Sequence, residues 1–160
     1  MYIELKRIDR KNFDAFFRIL SAMTKWAGKG VMTEKQKDML VADYFHEPSR
    51  FEGFVAYADG EEAGFVSFFQ GYATMDARTT MYVEDIFVLE RFQGKGVGKT
   101  LMSECFKIAK ERGYCRVDLL SFGEKPKKFY EKLGGEWHQG NFHYRWEGLL
   151  INCSSVRHLE

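Results

Sequence analysis

The stretch that most constrains this chain runs from Tyr82 to Gly113. Apolar residues up to Val88 read as a strand, Arg91 to Gly98 is rich in glycine, and Lys99 to Arg112 carries Leu101, Met102, Cys105, Ile108 and Ala109 on one face of a helix that Gly113 stops. Glycines at the alternate positions 94, 96 and 98 let the backbone turn its N–H groups inward. The helix N-terminus behind them adds partial positive charge, so a phosphate-bearing ligand fits. A tight strand-to-helix turn that needs glycine for geometry alone is the other reading; Lys95 and Lys99, interleaved with the glycines, favour binding. Two familiar phosphate motifs fail at single positions. A P-loop ending in Gly98-Lys99-Thr100 would need glycine where Gln93 stands, and a dinucleotide fingerprint would need its third glycine at Lys99.

On either side of this stretch the pattern alternates between the two regular periods. Tyr2 to Ile8 reads as a strand, Asp9 as a cap, and Phe13, Phe16, Phe17 and Leu20 as the apolar face of a helix. Lys25 to Val31, with Gly28 and Gly30, breaks the pattern; Thr33 and Gln36 then resemble a capping box opening a second helix through about Phe45, closed by Pro48. Phe51 to Val88 reads as three antiparallel strands, with a turn at Asp59-Gly60 and a loop over Thr74 to Thr79. After the glycine loop and its helix come a strand over Cys115 to Ser121 and a short helix, with Pro126 in its first turn, that ends at Gly134-Gly135. A closing hairpin is expected over Glu136 to Ile151, turning near Gly140-Asn141. The order βααβββαβαββ points to an α+β domain around one mixed sheet.

Composition narrows the class. With 160 residues, 45% of them apolar, the chain can bury roughly 70% of its unfolded surface in one domain. We expect that domain to span 1–152, followed by a tail over 153–160 that is partly cloning-derived. A formal net charge of +1 gives no bulk attraction for nucleic acid or an anionic membrane. Cys105, Cys115 and Cys153 form no disulfide framework, no stretch is apolar enough to span a membrane, and Met1 to Arg10 is not signal-like. The expected location is the cytoplasm. His46, His138 and His143 have no metal-ligand spacing, so no metal is expected.

Arg91-x-x-Gly94-x-Gly96, with the further Gly98, resembles motif A of the GNAT superfamily of acyl-CoA N-acyltransferases, and Phe129-Tyr130-Glu131-Lys132-Leu133-Gly134 resembles its motif B helix. The element order is also that of the family, so the resemblance covers about residues 2–147. Within the superfamily, Tyr82-Val83-Glu84-Asp85-Ile86-Phe87-Val88 is similar to the strand of diamine and polyamine acetyltransferases, in which Leu-Glu-Asp precedes apolar residues. The resemblance implies acetyl-CoA as cosubstrate, bound by Ile86, Phe87, Val88, Arg91 and the run Gln93, Gly94, Lys95, Gly96, Val97, Gly98, Lys99 and Thr100. It also implies that Glu84 accepts the proton of the amine and that Tyr130 protonates the departing thiolate. The asparagine that many relatives carry before motif B is missing; Phe122 to Lys128 stands there, with Lys125, Lys127 and Lys128 either facing a phosphate or simply solvated.

The chemistry asks for such groups. An alkyl amine, with a pKa of about 10.4, is an ammonium ion at neutral pH and must lose a proton before it can attack a thioester. Backbone N–H groups at Ile86 to Val88 can hold the thioester carbonyl. Strand alternation puts Glu84 on one face with Tyr82, Ile86 and Val88, and Asp85 on the other, so only one carboxylate is expected in the cleft. The structural alternatives are acids held by neighbouring basic groups and a Tyr130 that merely packs. Cys105 and Cys115 lie beside no recognisable base, which argues against a covalent route.

Acceptor choice is expected from Lys25 to Thr33 and Phe69 to Arg78, with Trp26, Tyr72, Glu84 and Asp85 as substrate-binding residues and Met75 beside Tyr72. Lys25, Lys29, Lys35 and Lys37 against Glu34 and Asp38 disfavour a long polyamine. The resulting expectation is direct transfer of an acetyl group to a primary amine of a small molecule: a diamine, a polyamine or a lysine-like amine. A protein or peptide N-acetyltransferase and a noncatalytic acyl-CoA-binding regulator are the alternatives. Members of this family are often homodimers, which the resemblance allows here.

Overall fold

A computed structural model describes residues 1–121 and 123–138. The elements are β1 (Ile3–Arg7), α1 (Phe13–Trp26), α2 (Glu34–Tyr44), β2 (Glu52–Ala58), β3 (Glu61–Ala73), β4 (Arg78–Val88), α3 (Val97–Glu111), β5 (Val117–Leu119) and α4 (Glu124–Lys132), with one 3-10 turn at Glu90–Phe92. This is the expected order up to the closing hairpin, of which only 136–138 are described, without regular structure. The rest of that hairpin, His143, Cys153, the boundary at 152 and the tail lie outside the described residues. The chain divides into two compact units, Met1–Ser121 and Phe122–Glu160. No helix among the described residues is long and apolar enough to cross a membrane.

The first unit is a five-stranded sheet in the order β1-β2-β3-β4-β5. The first three pairings are antiparallel, and β4–β5 is parallel. A parallel neighbour requires a crossover, and α3 supplies it. Asp59 and Gly60 both take positive φ in the two-residue turn between Ala58 and Glu61, the backbone that a tight hairpin of this length demands.

Side chains leave the sheet alternately toward two cores. On one face α3 buries Val97, Leu101, Cys105, Ile108 and Ala109 against Ala56, Val66, Phe68, Met81 and Val83. On the other, α1 and α2 cover Val55 and Phe65 with Phe13, Phe16, Ile19, Leu20 and Tyr44. Thr33 and Gln36 form the expected capping box at α2. Asp9 is not the cap of α1. Its carboxylate accepts from the backbone N–H groups of Lys11 and Asn12 in an Asx turn, and Asn12 stands at the helix start. The α3 helix also begins earlier than the expected Lys99, because Gly96 takes a left-handed conformation as its N-cap and makes Val97, Gly98 and Lys99 its first turn.

Gly64 on β3 holds the end of β4 at close range. A Cβ there would meet the Phe87 carbonyl oxygen at 2.5 Å and Val88 Cα at 3.2 Å, both backbone atoms that cannot swing aside. Gly64→Ala should therefore destabilise the fold by about 1–3 kcal/mol. Urea denaturation checks this; an unchanged midpoint would mean that β4 yields freely at this end.

Candidate active site

The site begins with a mismatch between two strands. Val83 pairs with Phe68 and Asp85 with Ser67, so Glu84 is an extra residue on β4 opposite a regular β3. Ahead of it Met81 and Val83 face the α3 core; beyond it Ile86 and Val88 return to that core while Phe87 faces α1. The bulge breaks the period of two. Glu84 and Asp85 consequently open on the same side, lining a cavity of about 380 Å³ with residues of α1 and of the loop after it. The expectation that alternation would put the two acids on opposite faces is therefore overturned.

Leu20, Met23, Trp26 and Met32 form the apolar wall of this cavity, and Thr24, Lys29 and the two acids its polar part. Trp26 tilts against Phe87, ring centroids 6.1 Å apart, although four-fifths of its surface stays exposed. Tyr72 does not join it. It sits toward the far end of β3, opposite Thr79, and Met75 in the following turn is fully exposed. Lys29 and Met32 come from the loop expected to set acceptor choice, whereas Leu20 and Met23 of α1 are the part of the wall that sequence reasoning missed.

Asp85 is half-buried, and burial pushes its carboxyl above the ordinary value, with Glu84 adding to the rise. Lys29 and a hydrogen bond from Ser67 pull the other way. Glu84 is exposed at the crest of the bulge. One carboxylate is thus fixed and partly dry while its neighbour is solvated.

The far end of β4 is free on its other side. β5 pairs only with Met81, Tyr82 and Val83, so among the described residues Glu84 to Val88 have no strand partner there. The glycine loop follows directly. Gln93 Nε2 donates to the Val88 carbonyl at 3.1 Å and draws the loop onto the strand end. Gly94 and Gly96 have φ of 74° and 90°, and α3 starts with no side-chain cap and no acid in its first turn. Thr100 is the first residue whose N–H bonds back to Gly96, at 2.9 Å, so those of Val97, Gly98 and Lys99 precede the helical ladder. A Cβ on Gly94 would meet nothing within 4 Å, so the space before this turn is open. The donor set fits a phosphate group. Arg91 is less available than expected, being paired with Glu61 at 3.1 Å and lying over the Phe92 ring.

A family profile described as the Acetyltransferase (GNAT) family matches residues 13–135. The chain belongs to this family. Relatives of this GNAT chain include an L-ornithine N5-acetyltransferase of Arabidopsis thaliana, 37% identical over 76 residues that cover 46% of this chain and 33% of that protein. The thialysine N-epsilon-acetyltransferase of Bos taurus is 26% identical over 165 residues, 92% of each chain. Both names agree with the resemblance to the diamine and polyamine branch. Among solved structures, an integron cassette protein from the mobile metagenome of V. cholerae has a TM-score of 0.79 at 24% identity, covering 98% of this chain and 99% of that one, a likeness of fold. GNAT acetyltransferases use acetyl-CoA, and the glycine loop lies within the matched residues.

A larger hollow, about 510 Å³, lies at the β1–α1 corner among Glu4, Lys6, Arg7 and Asp9. Lys6 pairs there with Glu4 and Arg7 with Glu52, and the hollow adjoins no glycine-rich turn. In the second unit, α4 carries Tyr130, half-buried, its ring 5.0 Å from that of Phe129. Burial raises its phenol above the ordinary value and keeps it protonated at neutral pH. Lys127 lies 4.0 Å from the centre of the Trp137 ring. Cys105 is buried in the α3 core, its thiol pushed up to about 12, which leaves it no nucleophilic thiolate.

A carboxyl raised by burial favours the fold while protonated, so this contribution is lost as pH rises through its folded value. Asp85→Asn keeps an acceptor for Ser67 and removes the buried charge. The variant should melt above the wild type at neutral pH, with a gain that fades as the pH falls through the carboxylate range. Melting curves across pH check this; a constant offset would show that ionisation of Asp85 costs the fold nothing.

Proposed function

We propose that the chain is an acetyl-CoA-dependent N-acetyltransferase that moves an acetyl group directly to a primary amine of a small molecule: a diamine, a polyamine or a lysine-like amine. The observation that carries this reading is the pair of carboxylates at the β4 bulge, opening into a small cavity beside the end of the same strand, whose second edge no described strand pairs. About 380 Å³ suits a short amine better than a folded protein segment.

In this reading the phosphates of coenzyme A lie at the N–H groups of Val97, Gly98 and Lys99, and the thioester carbonyl meets those of Ile86 to Val88. The acceptor enters the Trp26 side as an ammonium ion, drawn by Glu84 and Asp85. Glu84, solvated and free to exchange protons, takes one from the amine. The nitrogen lone pair then attacks the carbonyl carbon; as the C–S bond breaks the sulfur takes the Tyr130 proton, the second proton leaving the nitrogen restores the tyrosine hydroxyl, and Glu84 gives up its own proton to water. Asp85, held by Ser67, keeps the cation in place.

Coenzyme A release, measured with acetyl-CoA against diamines, polyamines, lysine analogues, aminoglycosides and short peptides, tests the reading. Release with short primary amines is expected. Stabilisation by acetyl-CoA with no release from any amine would make the chain an acyl-CoA-binding regulator instead. Glu84→Gln should lower kcat/KM by about 100-fold near neutral pH, and the deficit should narrow as pH approaches the amine's own value of about 10.4. Tyr130→Phe should lower kcat with the affinity for acetyl-CoA unchanged; full turnover in that variant would reject Tyr130 as the acid.

A further inference from the structure

The loop after α1 holds a lysine where the local backbone motif ordinarily holds an apolar residue. At the end of α1 the Gly28 N–H bonds to the Lys25 carbonyl and the Lys29 N–H to the Thr24 carbonyl, with Gly28 at φ 74° between them. This is a Schellman ending, in which the residue in the place of Lys29 commonly makes an apolar contact back to the helix. The α3 helix ends in the same pattern, Gly113 to Lys110 and Tyr114 to Ala109, and there Tyr114 packs on the core as the motif prefers.

Lys29 does otherwise. It is exposed, yet it lines the cavity with Glu84 and Asp85. Its backbone position is set twice, by its own N–H on Thr24 and by the Thr24 hydroxyl donating to the Gly30 carbonyl at 2.9 Å. A cation is therefore built into the wall of the acceptor cavity at a fixed origin. Its charge is felt inside, since it lowers the carboxyl of Asp85 against the effect of burial.

Resting on the proposed acetyl transfer, the geometry points to Lys29 as a specificity-determining residue that favours acceptors carrying a carboxylate at the end away from the reacting amine over those carrying only a second ammonium there. With both acids ionised, two carboxylates and one ammonium leave the cavity a net charge of minus one. A basic amino acid brings plus one, its side-chain ammonium meeting Glu84 and Asp85 and its carboxylate meeting Lys29. A diamine of the same length brings plus two and sets its second ammonium against Lys29. Like charges brought together in a partly dry cavity cost affinity, whereas a charge-assisted hydrogen bond adds it.

Lysine with cadaverine and ornithine with putrescine make the comparison clean, because each pair differs only by the carboxylate. The wild type should favour the amino acid in kcat/KM by about 10-fold or more. Lys29→Met should abolish that preference, mainly through KM for the amino acid, and Lys29→Arg should restore most of it. A preference for the diamine in the wild type, or a ratio that Lys29→Met leaves unchanged, would overturn the assignment. Calorimetric binding of the same four compounds to the coenzyme A-loaded protein separates this from the transfer itself. Selective binding lost in Lys29→Met without any coenzyme A release would keep Lys29 and reject the transferase reading. Equal binding of both members of each pair would reject Lys29 whatever the turnover.

Discussion

One extra residue on β4 organises the first unit of this protein. β3 runs regularly opposite it, so the ladder absorbs Glu84 as a bulge between the Phe68–Val83 and Ser67–Asp85 pairs. Without the bulge a strand packed on both faces could show only one of two consecutive acids to a given side. With it, Glu84 and Asp85 share a cavity, and the strand still returns Ile86 and Val88 to the α3 core and Phe87 to the α1 side. Both cores remain filled across a local defect. Burial therefore stabilises the sheet on either side of a backbone feature that would be costly alone.

The termination of β5 at Leu119 supplies the second constraint. A parallel partner that stops opposite Val83 leaves the next five residues of β4 without a partner along one edge among the described residues, as the strand reaches the glycine turn. Gly64 keeps β3 close enough to hold that end, and Gln93 ties the turn to it. The carboxylates, the strand edge that no described residue pairs and the uncapped start of α3 thus lie in one stretch of chain from Glu84 to Lys99. The same unit places two carboxylates and the uncapped N–H groups of α3 at opposite ends of a single short segment.

Much of this was legible in the sequence. The apolar faces of α1 and α3, the Thr33–Gln36 box, the Asp59-Gly60 turn and the glycine loop are local features, and each formed as its local chemistry requires. The acid pair is a different case. The apolar positions on the α3 side are 81 and 83, then 86 and 88, a slip of one residue that brackets two consecutive acids. That slip is visible in the sequence, but a strict period of two hides it. Asp9 shows the same limit on a smaller scale, since an Asx turn and a helix cap ask for the same side chain and only the backbone path decides between them. Lys29 and the distant placement of Tyr72 depend on where the α1 loop folds over the sheet, which no local pattern specifies.

The central claim is that acyl donor and amine meet at the bulge of β4. A crystal structure of the protein with a bisubstrate analogue, coenzyme A joined through an acetyl link to a short amine, tests it most directly. The account predicts phosphate oxygens on the N–H groups of Val97 to Lys99, the linking carbonyl against β4 beyond Val83, and the amine nitrogen between Glu84 and Asp85. An analogue whose amine lies outside the cavity of Leu20, Met32 and Asp85, with both carboxylates still in solvent, would contradict it.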